Sequence, residues 1–256
     1  MQFNEAQIQA IQHNTGPCMV IAGPGSGKTT VLTHRVRYLI ERYGVNPSDI
    51  LVITFTKAAA EQMKLKFKGL SEGRNSAVTF GTFHAVFFTI LKAAYNYSAH
   101  CIIKPQIQHE FVKDQMCRLE LEYDDEKEAV AGVLSEISCV KGEAVNIDEY
   151  ESRCIPPQSF RIMYRAYDDM LVRKHLIDFD DMIVQCRELL MQREDYRRAW
   201  QNKYKYILID EFQDINKAQF DVVRILADEY RNLFVVGDDD QSIYGFRCYL
   251  CDGCRC

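Results

Sequence analysis

Hydrophobic and polar positions along this chain fall into blocks of changing period. From Asn4 to Asn14, apolar content from Ala6, Ile8, Ala10 and Ile11 behind a capping Asn4 predicts a helix, which Gly16-Pro17 ends. Cys18 to Ile21 reads as a short strand, and the amphipathic run Thr30 to Glu41 as a helix. Beyond the turn residues Gly44 and Asn46-Pro47-Ser48, the run Ile50-Leu51-Val52-Ile53-Thr54-Phe55 is nearly all apolar, as a buried parallel strand requires. Lys57 to Lys68 then reads as helix, Ala77 to Phe80 as a third strand and Phe83 to Tyr95 as a third helix. This alternation predicts an α/β fold with a parallel sheet.

From about Ala99 to about Asp195 the pattern changes: it is polar and helical with no convincing strand, an acidic cluster (Glu120, Glu122, Asp124, Asp125, Glu126, Glu128) and a break at Pro156-Pro157. Strand signals resume at Tyr206-Ile207-Leu208-Ile209, which runs into Asp210-Glu211, and at Leu233-Phe234-Val235-Val236, which runs into Gly237-Asp238. A helix from about Lys217 to Tyr230 separates them. The expected organisation is an α/β domain of residues 1–98 and 196–256, interrupted by a mostly helical insertion of residues 99–195.

The first strand and its helix flank Ala22-Gly23-Pro24-Gly25-Ser26-Gly27-Lys28-Thr29. Gly25 and Gly27 allow backbone N–H groups to turn inward around an anion, and the helix that starts there points its positive end at the same place. Lys28 adds a mobile charge for outer phosphates, and the Thr29 hydroxyl suits Mg²⁺. Ala22 stands where the phosphate-loop pattern has Gly; a small residue serves there. The second half of such a site is the strand ending in Asp210-Glu211: Asp210 suits Mg²⁺, directly or through water, and Glu211 suits positioning or deprotonating an attacking water. A GTPase is disfavoured, because Asn216-Lys217-Ala218-Gln219 lacks the Asp of a guanine-reading motif.

Composition narrows the class. The chain has 256 residues, 47% hydrophobic and 26% charged, ordinary values for a soluble globular protein. No apolar run approaches the roughly 20 residues of a membrane span, and the N-terminus lacks the basic and apolar regions of a signal peptide. A cytoplasmic protein with no membrane partner is expected. Net charge is −5, so any contact with nucleic acid has to come from local patches. Six scattered cysteines (Cys18, Cys101, Cys117, Cys139, Cys154, Cys186) read as small core residues or free thiols.

Taken in order, the motifs resemble those of the superfamily 1A DNA helicases of the UvrD/Rep/PcrA type. Phe3-Asn4-Glu5-Ala6-Gln7 is similar to the family's adenine-reading Q motif, and the phosphate loop to motif I. Ile53 to Met63 is similar to motif Ia, Thr79-Phe80-Gly81-Thr82-Phe83-His84 to motif Ib, and Asp178-Phe179-Asp180-Asp181 to the acidic motif that ends the inserted helical domain. Asp210-Glu211-Phe212-Gln213-Asp214 is similar to motif II and Val236 to Arg247 to motif III.

The resemblance implies a RecA-like P-loop NTPase sheet with ATP and Mg²⁺ as cofactors and single-stranded DNA as partner. It implies a nucleotide cradle of Gln7, Gly23, Gly25, Ser26, Gly27, Lys28, Thr29, Thr30 and Arg35, with Thr29 and Asp210 at the metal. Lys28, Asp210, Glu211 and Gln241 would act in hydrolysis, with Gln241 sensing the γ-phosphate. Phe55, Lys57, His84, Tyr244, Phe246 and Arg247 would meet DNA; Phe246 stands where the family often has Trp. The family's motor also has a second RecA-like domain with motifs IV to VI and phosphate-contacting arginines. This chain ends before them, so it is expected to bind Mg–ATP but hydrolyse it poorly alone, while the intact protein would be a 3′-to-5′ helicase and translocase of repair or replication.

After Arg247 the sequence departs from the family. Cys248, Cys251, Cys254 and Cys256 have a spacing that could hold Zn²⁺ or an Fe–S cluster, but so short an end offers no supporting shell, and it reads as a truncated or frame-shifted terminus. Rival readings are the helicase part of an AddA/RecB-type helicase–nuclease subunit, a non-enzymatic fragment that binds DNA or a partner, and an unrelated P-loop kinase. The Asp-Glu and Gly-Asp-Asp-Asp-Gln strand ends speak against the last.

Overall fold

The computed structural model describes residues 3–71 and 77–238. Gln241, Tyr244, Phe246, Arg247 and the four terminal cysteines lie outside the described residues. In chain order the elements are α1 (Glu5–Gln12), β1 (Cys18–Ile21), α2 (Lys28–Tyr43), β2 (Ile50–Thr54), α3 (Lys57–Leu70), β3 (Thr79–Thr82) and α4 (Phe83–Ala94). Then come α5 (Pro105–Arg118), α6 (Glu126–Glu143), α7 (Pro157–Arg173), α8 (Phe179–Gln192), α9 (Glu194–Lys203), β4 (Tyr206–Ile209), α10 (Lys217–Ala227) and β5 (Leu233–Gly237).

These residues fall into two compact units. Residues 3–86, 193–215 and 223–238 form one, and Phe87–Gln192 with Asn216–Val222 the other. The first is an α/β unit whose five strands are ordered β1-β5-β4-β2-β3, all parallel. β2 is buried at every position, which is why its sequence is apolar without alternation. β1, at an edge, alternates between half-buried and exposed residues. Leu32, Val36 and Leu39 on one face of α2 share a core with Ile50, Val52, Leu208, Phe234 and Val236.

The third strand runs from Thr79 to Thr82 rather than from Ala77 to Phe80. Its ladder is dictated by β2, with Leu51 opposite Thr79 and Thr54 opposite Thr82, so pairing carries it past Phe80 even though Ala77 and Val78 are apolar. Helix starts follow side-chain caps. Asn4 and Gln7 form a reciprocal capping box on α1, and Thr56 accepts from the Ala59 N–H at 3.1 Å on α3. Thr56→Ala is expected to cost about 1 kcal/mol in urea unfolding, since it orphans one helix-end N–H.

The second unit is helical, with an isolated bridge between Ile102 and Ile177 in place of a strand. Val130, Val133, Ile137 and Val140 of α6 meet Phe160, Met163, Tyr167 and Met170 of α7 in its core, both sets at helical spacing. A charged knot sits inside it. Lys141 Nζ lies 2.9 Å from Asp178, 2.7 Å from Asp181 and 3.1 Å from Asp168. Asp178 and Asp181 also cap α8 reciprocally, the Asp181 N–H donating to Asp178 at 2.6 Å and the Asp178 N–H to Asp181 at 3.2 Å. Burial opposes the Lys141 charge, but the three carboxylates outweigh it and hold its pKa above the usual lysine value. Burial and the Asp178 charge push Asp180 and Asp181 up to about 6.

Among the described residues no helix is long and apolar enough to cross a membrane. The six described cysteines are free thiols; Cys186 is buried, and Cys117, Cys139 and Cys154 are exposed.

Candidate functional site

Because every strand runs the same way, β1, β4 and β5 deliver their following residues to one edge of the sheet. Residues 22–29 follow β1, Asp210 and Glu211 follow β4, and Asp238 follows β5. The loop is anchored where the Ala22 N–H donates to the Gly237 carbonyl at 3.0 Å. Gly25 and Gly27 both hold left-handed backbone, at φ 72° and 83°, a conformation costly for any residue with a Cβ. Gly27 is the N-cap of α2 and supplies no capping side chain, and the first turn of α2 carries no acid. The helix start therefore leaves N–H groups uncapped, an arrangement suited to an anion.

Lys28 folds back over this loop. Its Nζ donates to the Ala22 carbonyl at 3.1 Å and lies 3.4 Å from Asp238 Oδ2 and 3.9 Å from Glu211 Oε2. The Thr29 hydroxyl donates to Asp210 Oδ2 at 3.3 Å, while the other oxygen, Oδ1, is buried without a hydrogen-bond partner among the described residues. Burial, seconded by the Glu211 charge, raises the Asp210 pKa to about 6. Glu211 is held at φ 55°, left-handed and strained for a non-glycine residue. Gln213 bridges the two strand ends: its Nε2 donates to Glu211 at 2.7 Å, and its Oε1 accepts from the Asp238 N–H at 3.0 Å. A Cβ at Gly237 would stand 3.1 Å from that Gln213 oxygen, so the bridge fits against a bare glycine.

Gln7 reaches the loop from α1. Its Nε2 donates to the Ser26 carbonyl at 3.0 Å and its Oε1 accepts from the Asn4 N–H at 3.0 Å. One N–H and one lone pair of the amide stay available for a further partner. Gly23 and Thr30 lie in the loop and the first turn of α2.

Arg35 departs from its sequence assignment beside the nucleotide. It is 1% exposed, donates to the carbonyls of Ala10 (3.2 Å) and His13, and stacks 4.3 Å over the Phe234 ring. Burial lowers its pKa to about 10. Its position on the helix face turned toward α1 and the sheet takes the guanidinium into the core, not to the loop.

Phe55, Lys57 and His84 follow β2 and β3 at the same edge of the sheet. Phe55 is 43% exposed and contacts Phe83 edge-on at 6.3 Å. Lys57 is open to solvent, 3.8 Å from Glu61. Burial holds His84 below its ordinary pKa, so it is neutral at pH 7. Asp238 and Gln213 were not singled out by sequence reasoning. Their signal was their place: each follows an apolar strand within a few residues, as Asp210 does.

No group of three or more His, Cys, Asp or Glu side chains among the described residues is arranged to hold a metal. The Thr29–Asp210 pair is instead an oxygen donor set of the kind that shares a hard cation with phosphate and water.

A parallel sheet with a glycine-rich loop after one strand and a carboxylate pair after another defines a RecA-like P-loop α/β domain with a helical insertion. The chain belongs to the UvrD/REP helicase N-terminal domain family, whose model matches residues 3–248. It is 36% identical over 251 residues to the ATP-dependent DNA helicase PcrA of Staphylococcus epidermidis, covering 96% of this chain and 34% of that protein. It is 35% identical over 257 residues to the ATP-dependent DNA helicase PcrA of Staphylococcus aureus, with the same coverage of 96% and 34%. The chain thus spans about a third of the length of the relatives it matches.

Proposed function

We propose that this chain is the ATP-binding N-terminal part of a 3′-to-5′ DNA helicase and translocase that moves on single-stranded DNA in repair or replication. In this reading residues 1–98 and 196–256 are the ATP-binding domain and residues 99–195 its helical insertion. The observation that carries the reading is the meeting of Lys28, Thr29, Asp210 and Glu211 at an uncapped helix start. Uncapped N–H groups and Lys28 take the phosphates, and Gln7 reads the adenine edge with its remaining donor and acceptor. Glu211, held off the strand axis by its left-handed backbone, orients the attacking water.

Magnesium fits this site, because the unpaired buried oxygen of Asp210 and the Thr29 hydroxyl are hard donors side by side. When bound, it neutralises charge on the outer phosphates. The raised Asp210 pKa agrees with a carboxylate short of positive charge. For DNA, exposed Phe55 supplies a stacking face, Lys57 a backbone charge and neutral His84 a second ring, with Tyr244, Phe246 and Arg247 assigned from the motif alone. The chain by itself is expected to turn ATP over slowly, since arginines supplied to the γ-phosphate by a partner domain are worth about 10³–10⁵ in rate in related enzymes. A cytoplasmic location goes with this function.

The test is Mg–ATP titration of the chain and of Lys28→Ala. Loss of one charged contact to phosphate is expected to weaken binding by about 10–150-fold, with the far-ultraviolet dichroism unchanged. Equal affinity in the two proteins rejects the ATP site.

A further inference from the structure

Helix α1 is clasped at both ends. At its start, Gln7 ties it to the phosphate loop through the Ser26 carbonyl at 3.0 Å. At its end, Arg35 of α2 donates to the carbonyls of Ala10 and His13, and the Tyr43 hydroxyl donates to the Gln12 carbonyl at 2.8 Å. Arg35 is an unusual choice for such a clasp. It is 1% exposed, and among the described residues no carboxylate lies within ion-pairing distance of it. Its Nε is buried with no hydrogen-bond partner among the described residues.

A buried cation without a carboxylate is costly, and a methionine or leucine would fill the same volume without desolvating a charge. Two features offset that cost: the Phe234 ring beneath the guanidinium, and the orphan carbonyls of α1, which carry the negative end of its dipole. Of these, the carbonyl bonds are the ones that fix the position of α1. α1 is a short stiff rod of about 12 Å, so where its last turn is fixed decides where its first turn stands.

We infer that Arg35 is a positioning residue for base recognition: by gripping the C-terminal end of α1 it holds Gln7, at the other end, in register with the phosphate loop. This rests on the reading of the loop as an ATP site with Gln7 as its base reader. It reassigns Arg35 from touching nucleotide to aiming the residue that does. The phosphate-binding part, which belongs to β1 and α2, should not depend on it.

The experiment compares binding of Mg–ATP, Mg–GTP and Mg–tripolyphosphate by calorimetry in the whole chain and in Arg35→Met, Arg35→Lys, Tyr43→Phe and Gln7→Ala. Arg35→Met is expected to weaken ATP about tenfold, toward the GTP value, while tripolyphosphate stays within about twofold. Arg35→Lys, which keeps a donor for the carbonyls, should recover part of the preference. Adding Gln7→Ala to Arg35→Met should cost no further selectivity, because both act through one contact. Parallel loss of ATP and tripolyphosphate affinity would show a merely structural role and overturn the inference, as would an unchanged ATP-to-GTP ratio. If Arg35→Met fails to fold, Tyr43→Phe loosens the same helix end from an exposed position; it is expected to lower the ratio about two- to threefold, and no change overturns the inference. A wild-type chain that binds tripolyphosphate but shows no preference for ATP also overturns it. A chain that binds neither overturns the ATP-site reading beneath it.

Discussion

Glu211→Gln is expected to slow ATP turnover by about 10²–10⁴-fold while leaving Mg–ATP affinity nearly unchanged. The carboxylate stands beside the Lys28 ammonium, 3.9 Å away, and is steadied by Gln213 at 2.7 Å, so the amide variant keeps shape and hydrogen bonding but loses the proton acceptor. Single-turnover hydrolysis with saturating single-stranded DNA reads the rate, and equilibrium titration reads the affinity. Turnover within about threefold of wild type, or affinity falling in step with rate, removes Glu211 from the water-positioning role. Backbone strain offers a second check. Glu211 sits at φ 55°, so Glu211→Gly should be as inactive as Glu211→Ala yet about 1 kcal/mol more stable, since glycine adopts that conformation without cost. A site that keeps a strained acid where a relaxed glycine would fold better is trading stability for the position of a carboxylate.

Lys141→Met should destabilise the helical unit by about 3–5 kcal/mol at pH 7.5, because it leaves buried carboxylates without their cation. Asp178 is almost wholly buried, Asp181 largely so, and Asp168 only in part, so the first two carry most of the penalty. The pH dependence has a definite sign. Asp180 and Asp181 titrate near 6 in the folded chain, above the ordinary carboxylate value, so the folded state takes up protons as pH falls from 7 toward 5. Their unfavourable contribution therefore shrinks with acidification. The Lys141 contribution is constant over this range, because its pKa is raised from an already high value. In the variant, protonation is the remaining way to relieve the carboxylates, so its deficit relative to wild type should be smaller at pH 5 than at pH 7.5. Hydrogen exchange of α6 and α8 amides at both pH values measures this; a deficit below about 1 kcal/mol, or one that grows on acidification, contradicts the knot's role.

Much of the site was legible locally. Gly25, Gly27, Lys28 and Thr29 announce a phosphate loop because the backbone turn needs glycines and the helix start follows within the same few residues. Asp210 and Glu211 were legible because an apolar strand that ends in acids is a local pattern. Arg35 was not. Its sequence neighbourhood reads as an amphipathic helix, and only packing against α1 and Phe234 turns the cation inward. Lys141 was equally silent: it stands at the end of an ordinary helix, and the aspartates that pair with it come from α7 and the start of α8. The end of β3 was misplaced for a similar reason, since its partner strand and not its own hydrophobicity sets the ladder.

By itself the sequence determined most helices and strands of the α/β part, that its strands are parallel, and which residues could bind phosphate or carry a carboxylate. Those properties depend on backbone conformation and on periods a few residues long. The tertiary structure alone decided the order β1-β5-β4-β2-β3, which brings Lys28 to Asp238 across more than two hundred residues of chain, and the choice of carbonyls over nucleotide for Arg35. Such outcomes are set by burial and by partners distant in sequence, where the cost of an unpaired charge selects the arrangement and no local pattern records it.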